Sequence, residues 1–334
     1  MASTRIPLGF ILVTTLASLL ASSDVGADVI QKTLPAEPGG RLVIDADRGS
    51  ILVEPGPNSE VSVEVERKVG RGSAAKAADL LEQHVVELVE EKGVLKLTSD
   101  FPDGIRSGFF GPNVDVAIRV RVPTRFHLDA KTAGGSVEVE GLTGDVSART
   151  AGGSLKLHNL TGDVVGKTSG GSIRGSGLKG RVDVTTSGGS IDLNEVSGGP
   201  VKAITAGGSM KLSAIAAPLD AHTSGGSIRV ESLGESVVAS TSGGSVDATF
   251  RRAPSGDVEL RSSAGGVSVT LPGDAAFQLD AATSAGGVRS EFPVSTVAKT
   301  GDHGDRGRLK GSVNGGGAMI KLRTSAGGVH IRKS

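Results

Sequence analysis

A six-residue signature that returns every 18 residues constrains this chain more than any other feature in it. From Thr132 onward the segments TAGGSV, TAGGSL, TSGGSI, TSGGSI, TAGGSM, TSGGSI and TSGGSV place their first glycines at Gly134, Gly152, Gly170, Gly188, Gly207, Gly225 and Gly243. The intervals are 18, 18, 18, 19, 18 and 18 residues. Three drifted copies, SSAGGV, TSAGGV and TSAGGV, follow with first glycines at Gly265, Gly286 and Gly327. Short units repeated in this way cannot bury an apolar face alone and do so only by stacking on their neighbours.

Apolar residues alternate with period two on both sides of each glycine pair, so each unit reads as two strands and two turns. In the first unit one face carries Val137, Val139 and Leu142, then Val146, Ala148 and Thr150 after the turn Thr143-Gly144-Asp145. The threonines Thr150, Thr168, Thr186, Thr205, Thr223 and Thr241 share the parity of the Val and Ala before them. Their methyl groups are therefore expected inward, with the hydroxyls bonded at the coil corner. The equivalent sites Glu138, Lys156, Arg174, Asp192, Lys211, Arg229 and Asp247 are charged and expected to face water. Stacked in register, the units predict an all-β, single-chain parallel β-solenoid with about 18 residues per coil. Ten coils at roughly 4.8 Å each make a rod about 50 Å long. The glycine pairs are expected to supply positive φ where the chain turns back.

Three regions follow from this pattern. Residues 1–27 read as a signal peptide: Arg5, a short apolar run from Ile6 to Leu20, and Val25-Gly26-Ala27 as the cleavage site. The run is too short and interrupted to span a bilayer, so no membrane span is expected in the mature chain. Residues 28–125 form an N-terminal β region. There Arg41 to Val53 resembles a degenerate coil, and Ala74 to Lys92 shows helical spacing through Ala77, Leu81, Val85, Leu88 and Val89. Ser73 is its expected N-cap and Gly93 its stop, which makes the helix 74–92, with the loop Phe101 to Pro112, the expected cap over the exposed end coil. Residues 126–334 hold the repeats.

Composition narrows the chemistry. The absence of Cys removes disulfides, thiolate metal sites and thiol nucleophiles. With 36 Lys+Arg against 36 Asp+Glu, and no Trp or Tyr, nothing favours a nucleic-acid partner. The six His show no ligand spacing, and the stretch Gly175 to Gly180 matches a dinucleotide pattern without the βαβ unit that the pattern needs. A calcium-binding solenoid would need a fixed Asp after each glycine pair, whereas that site alternates in sign. No catalytic, cofactor or metal-ligating residues are assigned.

The strand ending Arg121-Val122-Pro123, the stretch Leu128-Asp129-Ala130-Lys131-Thr132 with its small-Gly-Gly-Ser signature, and the C-terminal Gly315-Gly316-Gly317 and Leu322 to Val329 resemble the bacterial putative-adhesin family. Its members are exported β-solenoid proteins of unknown function. The resemblance covers most of residues 40–334 and implies a non-catalytic, adhesin-like or envelope-associated protein, periplasmic, secreted or at the cell surface. Its expected partner is a protein or glycan of the cell envelope, and the oligomeric state stays open. Two alternatives remain at this point: a polysaccharide-acting β-helix enzyme, and a self-assembling or ice-binding solenoid built on the Thr column.

Overall fold

In a computed structural model, residues 27–69, 81–101, 114–295 and 307–334 are described. Residues 1–26 of the signal-peptide reading fall outside them, as do Ser73, Ala77 and most of the Phe109-Phe110 loop. The described residues form 26 strands in one continuous sheet that winds around a single apolar interior. Register follows the repeat: Val146 to Thr150 pair in parallel with Val164 to Thr168, and Leu155 to His158 with Ile173 to Ser176. Because a strand exposes alternate residues to opposite sides, every Val, Ala and Thr of one parity enters the core. Val146, Val164, Val182 and Val184 are at most 1 % exposed.

The two ends depart from sequential stacking. The coil made by Arg41–Ala46 and Ser50–Pro55 lies between the layer of Val94–Asp100 and Val114–Val122 and the coil of His127–Thr132 and Val137–Glu140. At the other end Ala318–Thr324 and Val329–Lys333 slot between Val258–Leu271 and the coil that starts at Phe277. The drifted signatures therefore do not stack in chain order: the coil at Gly327 precedes the one at Gly286. The strands Ala318–Thr324 and Val329–Lys333 are hydrogen-bonded on both sides, whereas Ala27–Pro35 pairs with Glu60–Val69 alone and leaves one edge unpaired among the described residues.

The expected helix over 74–92 is not what the described part of it forms. A helical turn remains at 81–83, but Val85–Glu91 is a strand paired antiparallel with Val94–Asp100. Val86 and Leu88 point inward, while Val85 and Val89 are exposed. The sequence VVELVEE fits period two as well as 3.6, and its β-branched residues favour the strand. Lys92 and Gly93 both take positive φ, 53° and 79°, which suits a two-residue hairpin turn rather than a helix stop. Among the described residues antiparallel strands close this end: Glu60–Val69 lies on Val114–Val122, and Ala27–Pro35 lies on Glu60–Val69.

Candidate binding face

The corner that follows each threonine organises the outer surface. Of the seven first glycines named above, none has positive φ, and of the repeat pairs only Gly135 does, at 95°. What the corner requires is close approach. A Cβ on Gly153, Gly171, Gly189, Gly208, Gly226 or Gly244 would fall on the carbonyl of the second glycine one coil back, inside any real contact distance. A Cβ on the first glycine has more room, meeting nothing closer than 4.0 Å at Gly152 and 3.5 Å at Gly170, and the space narrows along the stack to 3.1 Å at Gly225 and 2.9 Å at Gly243. The drifted copies obey the same rule. Thr241 pairs with Ser262 and Val246 with Val267, so Ala264 replaces the first glycine and Gly265 is the second. The positive φ expected of the glycine pairs is thus corrected to a stacking role carried by the second glycine.

The Thr column is stitched into that stack. The hydroxyls of Thr150, Thr168, Thr186, Thr205, Thr223 and Thr241 each donate to the carbonyl of the second glycine one coil back, at 2.7 to 2.9 Å. Each oxygen also accepts the N–H of the second glycine of its own coil, at 3.2 to 3.4 Å for these six. With side chains at most 7 % exposed, this column presents no hydroxyl row to a ligand.

The serines just past the glycines do. The oxygens of Ser136, Ser154, Ser209 and Ser227 accept the amide of the equivalent serine in the next coil at 3.1 to 3.3 Å. A hydroxyl that accepts from the backbone keeps its own proton for another partner. Beside this row runs the charged column, and between coils Ser190 and Asp247 an open groove of about 370 Å³ is lined by Asp192, Ser209, Lys211, Ser227, Arg229 and Asp247 among others.

A second cluster lies at the N-terminal end. His84 is 5 % exposed, stacks on Phe101 with ring centroids 4.3 Å apart, and bonds Ser99 Oγ through Nε2 at 2.9 Å. The Arg48 guanidinium also lies over the Phe101 ring, 4.6 Å from its centroid. Arg67, 6 % exposed, pairs with Asp28 and donates to the carbonyl of Leu81 at 2.7 Å. Ser99 is the register equivalent of Ala46 and Thr132, so His84 ends the inward hydroxyl column. The cluster escaped sequence reading, although Arg67 falls on the inward parity of Val61, Val63 and Val65, which marks a buried cation.

Burial, then the charges of Arg67 and Arg48, hold the His84 imidazole down at about 4 from 6.5, with Asp47 opposing. Its folded pKa is below its unfolded one, so the neutral ring is favoured by the fold. Full stability is present above about pH 6.5. As pH falls toward 4 the unfolded chain takes up a proton that the fold refuses, at up to about 1.4 kcal/mol per unit. Asp100, raised chiefly by burial and by Asp47, works in the opposite sense. Hydrogen exchange of Val85–Asp100 at pH 7 and pH 4.5 is expected to show loosening in the parent chain and much less in His84→Gln; equal loosening in both would remove His84 as the cause.

Among the described residues no group of three or more His, Asp or Glu could hold a metal ion, and no helix is long and apolar enough to cross a membrane. Residues 40–332 match the Toastrack DUF4097 family. The chain belongs to that family. Its coil register, glycine stacking and Thr column lie within the matched span. Solved structures similar to it include a putative cell adhesion protein from Clostridium sporogenes, 11 % identical, covering 92 % of this chain and 100 % of that one at a TM-score of 0.23. A putative adhesin from Parabacteroides distasonis is 12 % identical and covers 91 % and 97 % at 0.41. A putative lipid binding protein from the same organism is 12 % identical and covers 92 % and 97 % at 0.39. A search of curated proteins finds no match.

Proposed function

We propose that this chain is an exported, non-catalytic scaffold that binds a component of the cell envelope through the outer face of its solenoid. The observation that carries the reading is the division between a constant interior and a variable exterior. Glycine stacking and the Thr column repeat from coil to coil, while the outward site alternates among Glu138, Lys156, Arg174 and Asp192 on the same backbone. Such a frame holds side chains at fixed spacing without asking any of them to fold the protein, as an extended recognition surface requires. Burial of the Thr column speaks against the ice-binding alternative. Export is supported by the apolar run and by Val25-Gly26-Ala27.

Incubation of the purified chain with isolated envelope is the test. Saturable binding that leaves the envelope polymers intact is expected. Turnover of a glycan by the pure protein, or a total lack of binding, would overturn the reading.

A further inference from the structure

The charged column beside the Ser row has an order that packing alone does not ask for. Consecutive coils carry Glu138, Lys156, Arg174, Asp192, Lys211, Arg229 and Asp247, each in register with the next. The signs run minus, plus, plus, minus, plus, plus, minus. Like charges directly opposite on neighbouring strands are destabilising, and a strict alternation would avoid them. Here Lys156 lies against Arg174 and Lys211 against Arg229. Lys156 has an ion pair with Glu138 at 2.8 Å. For Arg174, Lys211 and Arg229, all exposed, no ion pair is formed among the described residues.

The groove at Lys211 and Arg229 adds donors of a second kind. Ser209 and Ser227 accept backbone amides through their oxygens at 3.3 and 3.1 Å, which leaves their protons available beside the cation pair. Two cations and a row of hydroxyl donors suit an acceptor-rich, negatively charged group. Asp192 and Asp247 bracket the pair in the same groove. They would repel a polymer charged at every unit, such as a nucleic acid, but they accept hydrogen bonds from neutral hydroxyls.

We propose that this groove binds an extended acidic polysaccharide laid along the solenoid axis. One of its carboxylates lies at Lys211–Arg229, and its sugar hydroxyls lie at the Ser row, Asp192 and Asp247. The assignment rests on the scaffold reading above and names the class of ligand that the scaffold holds.

The experiment is a calorimetric titration of the full chain with hyaluronan, which carries a carboxylate on alternate sugars, with polygalacturonate, dextran and duplex DNA as comparisons. Salt-dependent binding of hyaluronan is expected to exceed that of polygalacturonate, and dextran is expected not to bind. Affinity should fall at least tenfold in Lys211→Gln/Arg229→Gln, whose thermal melt should match the parent because both side chains are exposed. Equal binding by that variant, equal binding of dextran or DNA, or no binding of either acidic glycan would overturn the proposal. Envelope binding measured on the same two proteins separates the two levels. If it persists while acidic glycans fail, the groove assignment falls and the scaffold reading stands; if the parent does not bind envelope at all, the scaffold reading falls as well.

Discussion

Gly171→Ala is expected to be among the most damaging single-methyl changes this chain can suffer, and Gly170→Ala, one residue away, close to harmless. The added Cβ at Gly171 would land on the carbonyl of Gly153, against backbone on which no flexible side chain can give way. Relief requires the two coils to separate, and Gly171 is engaged on both sides: its own carbonyl accepts from Thr186 at 2.8 Å and lies where a Cβ on Gly189 would fall. Overpacking that side chains absorb costs about 1–3 kcal/mol, and here the cost is expected at or above about 3 kcal/mol. At Gly170 the new Cβ meets the Gly152 carbonyl oxygen at 3.5 Å, an ordinary contact, and φ is not positive. Ala264 and Ala326 occupy that corner position in the drifted coils, since Ser262 pairs with Thr324 and Val267 with Val329. Gly170→Ala is therefore expected within about 1 kcal/mol of the parent, with a slight gain from the stiffer unfolded chain. Urea melts of the two variants check this; equal losses would show that the corner's need for glycine is conformational after all.

That contrast also shows where the sequence was legible. Period-two alternation and fixed spacing are enough to place Val146, Ala148 and Thr150 inward, because parity alone decides the face. A glycine pair, however, does not reveal which member lies under the next coil. Counting first glycines in SSAGGV and TSAGGV shifted the alignment by one, and only the pairing of Ser262 with Thr241 restores it. The order of coils at the two ends was equally hidden, since stacking is set by hydrogen-bond partners and not by chain order. At 85–91 two periodicities competed, and the edge of Val94–Asp100, which needed a partner, decided for the strand. For the candidate face, the charges and their outward direction were readable. The donor character of the serines was not, because it depends on the amide that each oxygen accepts.

Val184→Asp is expected to be the most destructive change in the interior. Val184 is fully buried, in register with Gly166 on one side and Ala203 on the other. A Cβ built on Gly166 would approach Val184 Cγ1 at 3.3 Å, so the valine occupies the room that the glycine leaves. Asp is close to Val in size, and the effect is one of charge. The carboxylate would enter the apolar interior beside Gly166, whose built Cβ also meets the fully buried Leu155 and Leu157 at 3.3 Å, while the backbone amides around it are committed to the ladder. An unpaired buried charge shifts its pKa or unfolds its surroundings, and either costs several kcal/mol at neutral pH. Thr186→Val, two residues on in the same strand, removes only the hydroxyl that bridges Gly171 and Gly189, and is expected to cost about 1–2 kcal/mol. Arg174→Glu on the exposed face is expected to change stability by no more than about 0.5 kcal/mol. Since each coil touches only its neighbours, the damage from Val184→Asp should centre on the coils of Gly166 and Ala203 and spare the ends at first. Hydrogen exchange resolved along the chain would show a central opening flanked by protected coils; uniform loss, or an Arg174→Glu as damaging as Val184→Asp, would mean that the faces are exchanged.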